Sequence, residues 1–254
     1  MNLTSSCITD ELRALGLGPG DRVMVHSSLK SLGMVDGGAE AVVDAVLSAI
    51  GPDGTMLVPT NVFRGSMTEF LRSVDTVDLR TSGSLMGAIT EAVRMRPGAA
   101  RSIHPSHPVA ALGPDAGELL AEHHLGDSPA GARSPYGKLA RLASGRILLI
   151  GVTNASNTTF HTAEEYWSPY VFIDERFERT VIGTDGAARI VKVRGYCVGR
   201  PRNFTVLDAA LGAAGVMTTR TIGNASVCLL RSRDLLEVLA REIARDPFVL
   251  LTRK

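Results

Sequence analysis

The sequence predicts an α/β domain, a mixed β-sheet flanked by helices on both faces, and three observations carry that reading. Short apolar runs closed by glycine, of which Ile147-Leu148-Leu149-Ile150 before Gly151 is the clearest, have the composition of strands buried on both sides. Between such runs lie segments with apolar residues at helical spacing, ended by glycine or proline. A chain of 254 residues, 44% of them hydrophobic, suffices for one large core, so residues 1–254 are expected to form a single domain.

Thr9 is suited to cap a first helix over 10–15, which Gly16 and then Gly18-Pro19-Gly20 terminate. A strand over 22–25 runs into His26-Ser27-Ser28-Leu29, so two hydroxyls lie just past a strand end. A helix over 39–50 stops at Gly51-Pro52, and a second strand follows over 55–59. Residues 61–82 are polar and weakly periodic and read as a loop with one helical turn at most. Apolar residues at 85, 86, 89 and 93 predict a helix over 84–94, closed by Pro97-Gly98. The proline-stiffened segment 101–108 leads to a short strand over 109–112, a helix over 115–123, and a short helix begun by Ser134-Pro135. After Trp167, strand-like runs at 170–173, 179–182 and 188–193, with a turn at Thr184-Asp185-Gly186, predict a hairpin that extends the sheet. A helix over 204–213, a strand over 225–230 and a helix over 232–244 complete the pattern.

Composition narrows the function classes. A net charge of +1 without a basic stripe argues against nucleic-acid binding, and no stretch is long and apolar enough to span a membrane. The N-terminus lacks the basic flank and apolar run of a secretory signal, so the chain is expected in the cytoplasm. Cys7, Cys197 and Cys228 are odd in number and show no C-x-x-C spacing, which argues against a disulfide framework or a thiolate metal site. Nucleophile-elbow, P-loop and dinucleotide fingerprints are all missing, so serine hydrolase, nucleoside triphosphatase and dinucleotide readings lose their main support.

The chemistry concentrates at 145–166. After the buried strand comes a polar turn in which Asn157 or Thr158 suits a helix N-terminus, and His161 then falls in the first helical turn. There the positive end of the helix dipole favours the neutral, basic imidazole, at the carboxyl end of a strand where α/β folds place ligands. Glu164 and Glu165, three and four residues on, share its helix face, and either can orient a general base. His104-x-x-His107, His123-His124 and His161-x-x-Glu164 offer metal ligands on paper. The inverted zinc signature H-x-x-E-H nevertheless fails at its last position, where Glu165 stands, and no metal is expected. A base, a serine-rich strand end and a second polar segment suit transfer chemistry on a phosphate-bearing donor.

The motifs resemble, in order over nearly the whole chain, those of the aminoglycoside 3-N-acetyltransferase family. The resemblance rests on Val25-His26-Ser27-Ser28-Leu29 with Gly33 and Gly37-Gly38, on Gly54-Thr55-Met56-Leu57-Val58-Pro59-Thr60, and on Met86-Gly87. It continues through Arg101-Ser102-Ile103-His104-Pro105, Ala111-Leu112-Gly113, Ser134-Pro135 and Ile147-Leu148-Leu149-Ile150-Gly151 to Asn157-Thr158-Thr159-Phe160-His161-Thr162-Ala163-Glu164. It implies direct transfer of an acetyl or related acyl group from CoA to an amine of an aminoglycoside, amino sugar or related natural product. By position it makes His161 the base, with Glu164 its partner or an anchor for the amine. Ser27, Ser28 and Leu29, with the adjoining His26 and with His104 and Ser134, would hold the CoA thioester, and Asp78 and Glu165 would face the amine. The expected assembly is a monomer or homodimer.

The chain also departs from the family pattern. Asp78 is kept, but Leu79, Ser82 and Gly83 replace the residues of an aspartate-proline and a threonine-proline ahead of Met86-Gly87, and Pro108 stands where a serine is common. The loop over 61–77 is shorter than in the long resistance enzymes, where it helps wall the aminoglycoside site. With 27 Lys and Arg against 26 Asp and Glu, these changes predict a preference for amines with one or two charges, or zwitterions, over full polycations. A metal-dependent amidohydrolase, or a binding protein that kept the fold without activity, stays open as an alternative.

Overall fold

The computed structural model describes residues 3–253. Thr4, not Thr9, caps the first helix, α1 (Ser5–Leu15), by accepting the Cys7 amide, while the Thr9 hydroxyl sits inside the helix and donates to Ser5 and Ala45 carbonyls. Then come β1 (Arg22–Ser27), a 3₁₀ turn over Leu29–Leu32, α2 (Gly38–Ile50) and β2 (Thr55–Pro59). Segment 61–82 holds more structure than its polarity suggests, namely α3 (Met67–Ser73) and β3 (Thr76–Asp78). Met67, Leu71 and Val77 are buried there against residues more than 90 positions away, a tertiary signal that no local period carries. Helix α4 (Ala88–Met95) starts later than expected, because the Ser84 hydroxyl folds back on Thr90 and Met86 and Gly87 takes a left-handed φ of 113°.

Next are β4 (Ala100–Arg101), β5 (Val109–Leu112) and α5 (Ala116–Leu120), which ends before its expected limit ahead of Glu122 at φ 63°. Helix α6 (Pro135–Leu139), β6 (Gly145–Ile150), α7 (Thr159–Trp167), β7 (Phe172–Ile182) and β8 (Ala188–Tyr196) follow. The chain closes through a 3₁₀ turn over Phe204–Leu207, α8 (Asp208–Ala213), β9 (Met217–Ile222), β10 (Ala225–Arg231) and α9 (Ser232–Arg245). Sequence reading misses β4 and β9; the latter is an edge strand rich in Thr and Arg, with four consecutive exposed residues and no apolar alternation.

The main sheet has the order β4-β5-β2-β1-β6-β10-β9, with β2, β1 and β6 parallel and the outer pairings antiparallel. Side-chain alternation divides its core. Val23, Val25, Leu148 and Ile150 face α1, α2 and α4, whereas Met24, Ile147 and Leu149 face the α5, α6, α7 and α9 side. From β1 the chain steps to β2 on one side and later to β6 on the other, so the order reverses beside β1, where open α/β sheets form a crevice. The hairpin β7-β8 forms as expected but does not extend this sheet. It pairs with β3 in a separate three-stranded sheet and packs Phe177, Val181, Val191 and Val193 against Met67, Leu71 and Val77.

Candidate active site

Gly151 leaves β6 at φ 64°, where an added Cβ would meet Ser31, and the turn that follows is built by side-chain amides. Asn154 accepts from Asn157 Nδ2 at 2.9 Å, and Asn157 Oδ1 accepts the Thr159 amide at 3.1 Å, which satisfies an otherwise orphaned donor at the start of α7. His161 follows in the first turn, its amide bonded to the Thr158 carbonyl.

The His161 and Glu164 side chains meet, with Nδ1 to Oε2 at 2.6 Å. Burial would raise the Glu164 carboxyl, but the bond from His161 and the charge of Arg202 hold it below its ordinary value. The carboxylate only accepts, so the ring donates to it from Nδ1, which in a neutral imidazole leaves the lone pair on Nε2. Arg202 Nε donates to the other Glu164 oxygen at 3.2 Å, and Glu164 itself is fully buried. The imidazole is clamped from its sides, stacked on Tyr196 at 4.8 Å between centroids and met edge-on by Phe204 at 5.0 Å. It opens on a cavity of about 390 Å³ walled by Phe63, Ser66, Met67, His107, Tyr196 and the segment 197–202. His107 places another imidazole on that wall, kept neutral because burial and the nearby His161 and His123 lower its pKa.

A second cavity of about 220 Å³ lies at the carboxyl ends of β1 and β2, lined by His26, Ser27, Pro59, Asn61, Met86, Thr90 and Thr158 among others. Burial alone lowers His26 to about 4, so its ring is neutral. His26 Nε2 and Asn61 Oδ1 are buried without hydrogen-bond partners. Thr158 on this cavity and His161 on the other are one helical turn apart, so the first turn of α7 lies between the two.

The other expected site residues are placed differently. Ser28 starts the 3₁₀ turn and donates its amide to Ile150, and Leu29 packs on the core. His104 is buried, with Nδ1 accepting the Ser106 and His107 amides and its ring stacked on His123 at 4.6 Å. Ser134 caps α6 through the Gly137 amide. Asp78 is bound by Arg80 on the second sheet. None of these five lines either cavity. Glu165 lines neither cavity; its carboxyl takes bonds from Ser128 at 2.6 Å, the Ala130 amide at 2.9 Å and Tyr196 at 2.5 Å. It holds the tyrosine on which His161 stacks. Tyr196, Phe204 and Arg202 escape sequence reading because nothing local marks them, whereas His107 is visible there only as a paper metal ligand. Among the described residues, no group of three or more His, Cys, Asp or Glu side chains is placed to hold a metal ion. No helix among them is long and apolar enough to cross a membrane.

The Glu165 environment carries a prediction of its own. Burial, opposed by the Ser128, Tyr196 and Ala130 hydrogen bonds, pushes its carboxyl up to about 7. The native state therefore keeps this proton up to about 7 while the unfolded chain releases it near 4.5, so the group's contribution to stability falls as pH rises through that window. The loss is on the order of 3 kcal/mol. Glu165→Gln should remove it, and the difference between native and variant melting temperatures should change between pH 5 and pH 7.5. A difference constant across that range would show that Glu165 is ionised throughout.

An imidazole oriented by a buried carboxylate, with one cavity on either side of its helical turn, is an arrangement able to move a proton at a group bound beside it. Residues 24–243 match the family model described as aminoglycoside 3-N-acetyltransferase. The chain is 39% identical over 250 residues to an aminoglycoside N(3)-acetyltransferase III of Salmonella sp, covering 91% of this chain and 82% of that one. It superposes on the crystal structure of aminoglycoside acetyltransferase AAC(3)-Xa with a TM-score of 0.82 at 32% identity, over 95% of this chain and 93% of that one. It also superposes on a variant of AAC(3)-IVa in complex with a gentamicin, with a TM-score of 0.84 at 26% identity, over 100% and 93% of the two chains. The chain belongs to the aminoglycoside 3-N-acetyltransferase family, and is an N-acetyltransferase.

Proposed function

We propose that this chain, acting as one domain over 1–254 in the cytoplasm, moves an acetyl group from acetyl-CoA directly to an amine of an aminoglycoside, amino sugar or related compound. The observation that carries the reading is the His161–Glu164 pair on a helical turn between two cavities. The larger cavity, with the free Nε2 of His161 beside it, is assigned to the amine. The smaller is assigned to the arm of the donor. There the unpartnered His26 Nε2 and Asn61 Oδ1 suit the amide groups of a pantetheine chain, because buried polar atoms call for partners.

An ammonium cannot attack a thioester, so the acceptor nitrogen first loses one proton to solvent and reacts as the neutral amine. His161 Nε2 takes a second proton from that nitrogen as it bonds to the acetyl carbonyl carbon. Glu164 stabilises the resulting imidazolium through Nδ1–H, and its charge is balanced by Arg202. As the carbon–sulfur bond breaks and the amide forms, the same Nε2 returns the proton to the departing sulfur, so protons and charge balance over the cycle.

CoA should raise the melting temperature of the protein, as any ligand of the native state does, and Ser27→Trp should abolish that rise by filling the smaller cavity. An undiminished shift in the variant would move the donor elsewhere. Release of free thiol from acetyl-CoA, dependent on an added amine, tests the activity itself.

A further inference from the structure

With the larger cavity read as the acceptor site, we infer that the preferred acceptor is a small zwitterion, an amine carrying its own carboxylate or phosphate, held through Arg200 and Arg202. The residues lining that cavity include two arginines and no Asp or Glu. Three carboxylates stand on the elements that wall it, and none of them lines it. Glu164 is bonded to His161 and Arg202, and Glu165 to Ser128, Ala130 and Tyr196. Glu69 of α3 is exposed and off the lining, while Arg72 on the same helix is bonded to Glu175.

The cations are less completely engaged. Arg202 places Nε on Glu164 and Nη1 on the Cys197 and Arg200 carbonyls, while its Nη2 is buried without a partner. Arg200 is exposed over the Tyr170 ring at 5.8 Å, with no ion-pair partner among the described residues. An ammonium-rich acceptor would bring several positive charges against these guanidiniums with no carboxylate on the cavity lining to receive them. An acceptor with one anion instead gains a fork of charged donors that suits carboxylate or phosphate, and anchoring that anion fixes the amine beside His161. Phe63, Met67, Val198 and Pro201 give the remaining wall an apolar surface for a compact carbon skeleton.

The test is a thiol-release assay with the intact protein on four acceptors: glucosamine, glucosamine 6-phosphate, 2-amino-2-deoxygluconate and gentamicin. At low salt, at least one anionic acceptor should exceed glucosamine in kcat/KM by tenfold or more, and the phosphate and carboxylate arms identify which anion fits. Raising ionic strength should lower kcat/KM for that acceptor and raise it for gentamicin, because screening weakens attraction in one case and repulsion in the other. Arg200→Gln should reduce the preference for the anionic acceptor over glucosamine about tenfold, and Arg200→Lys should restore part of it. Gentamicin as the best acceptor, with turnover falling as salt rises, would overturn the inference and leave the N-acetyltransferase reading intact. So would a preference that Arg200→Gln leaves unmoved, or no preference for either anion. If no amine releases thiol from a protein that CoA stabilises, the proposed function itself fails.

Discussion

Replacing His161 with alanine is expected to lower kcat/KM by on the order of a hundredfold or more, with little change in the stabilisation that CoA confers. The imidazole is the group on the cavity wall with a lone pair directed by a buried carboxylate; His107, the other ring there, has Ser106 Oγ at 2.9 Å from Nδ1 and no carboxylate behind it. Thiol release at neutral pH measures the effect. Near-normal turnover would remove His161 from the mechanism and pass the role of base to His107.

The second large effect is expected at Glu164, and it appears in two readouts. Glu164→Ala leaves the Arg202 guanidinium, with a side chain only 17% exposed, without its carboxylate, and breaking such a pair costs about 3 kcal/mol of stability. It also frees the imidazole to flip or to carry its proton on Nε2, where it can no longer accept one, so kcat should fall tenfold to a hundredfold. Because the two side chains act as one unit, His161→Ala and Glu164→Ala together should lower kcat little further than His161→Ala alone. Fully additive losses would mean that Glu164 acts independently of the base, and an unchanged melting temperature would mean that Arg202 finds another partner.

Where an activity depends on the charge of its acceptor, the decisive residues need not be near the base in sequence. Arg200 and Arg202 reach the cavity from a segment between the second sheet and the 3₁₀ turn at Phe204–Leu207, and the opposite wall comes from residues 63–68. The expectation of a less cationic acceptor, drawn from overall charge and a short loop, thereby acquires specific groups to test.

Elements whose signals are local can be read from the residues alone. The continuous apolar runs of β1, β2, β5 and β6 declare strands buried on both faces, and the amphipathic repeats of α2 and α9 declare helices on such a sheet. His161 and Glu164 were legible for the same reason, since a three-residue spacing on a helix brings side chains together whatever the rest of the chain does. Contacts between distant segments are what distinguish Glu164 from Glu165. They are neighbours of one chemical type, and what separates them is that Arg202 reaches the first and Ser128, Ala130 and Tyr196 reach the second. Such contacts also join the hairpin of β7 and β8 to β3 rather than to the main sheet, a pairing of segments about a hundred residues apart. Strand pairing and cavity walls depend on which distant surfaces meet, and that is set by burial summed over the whole core. A local pattern records only that a surface is available.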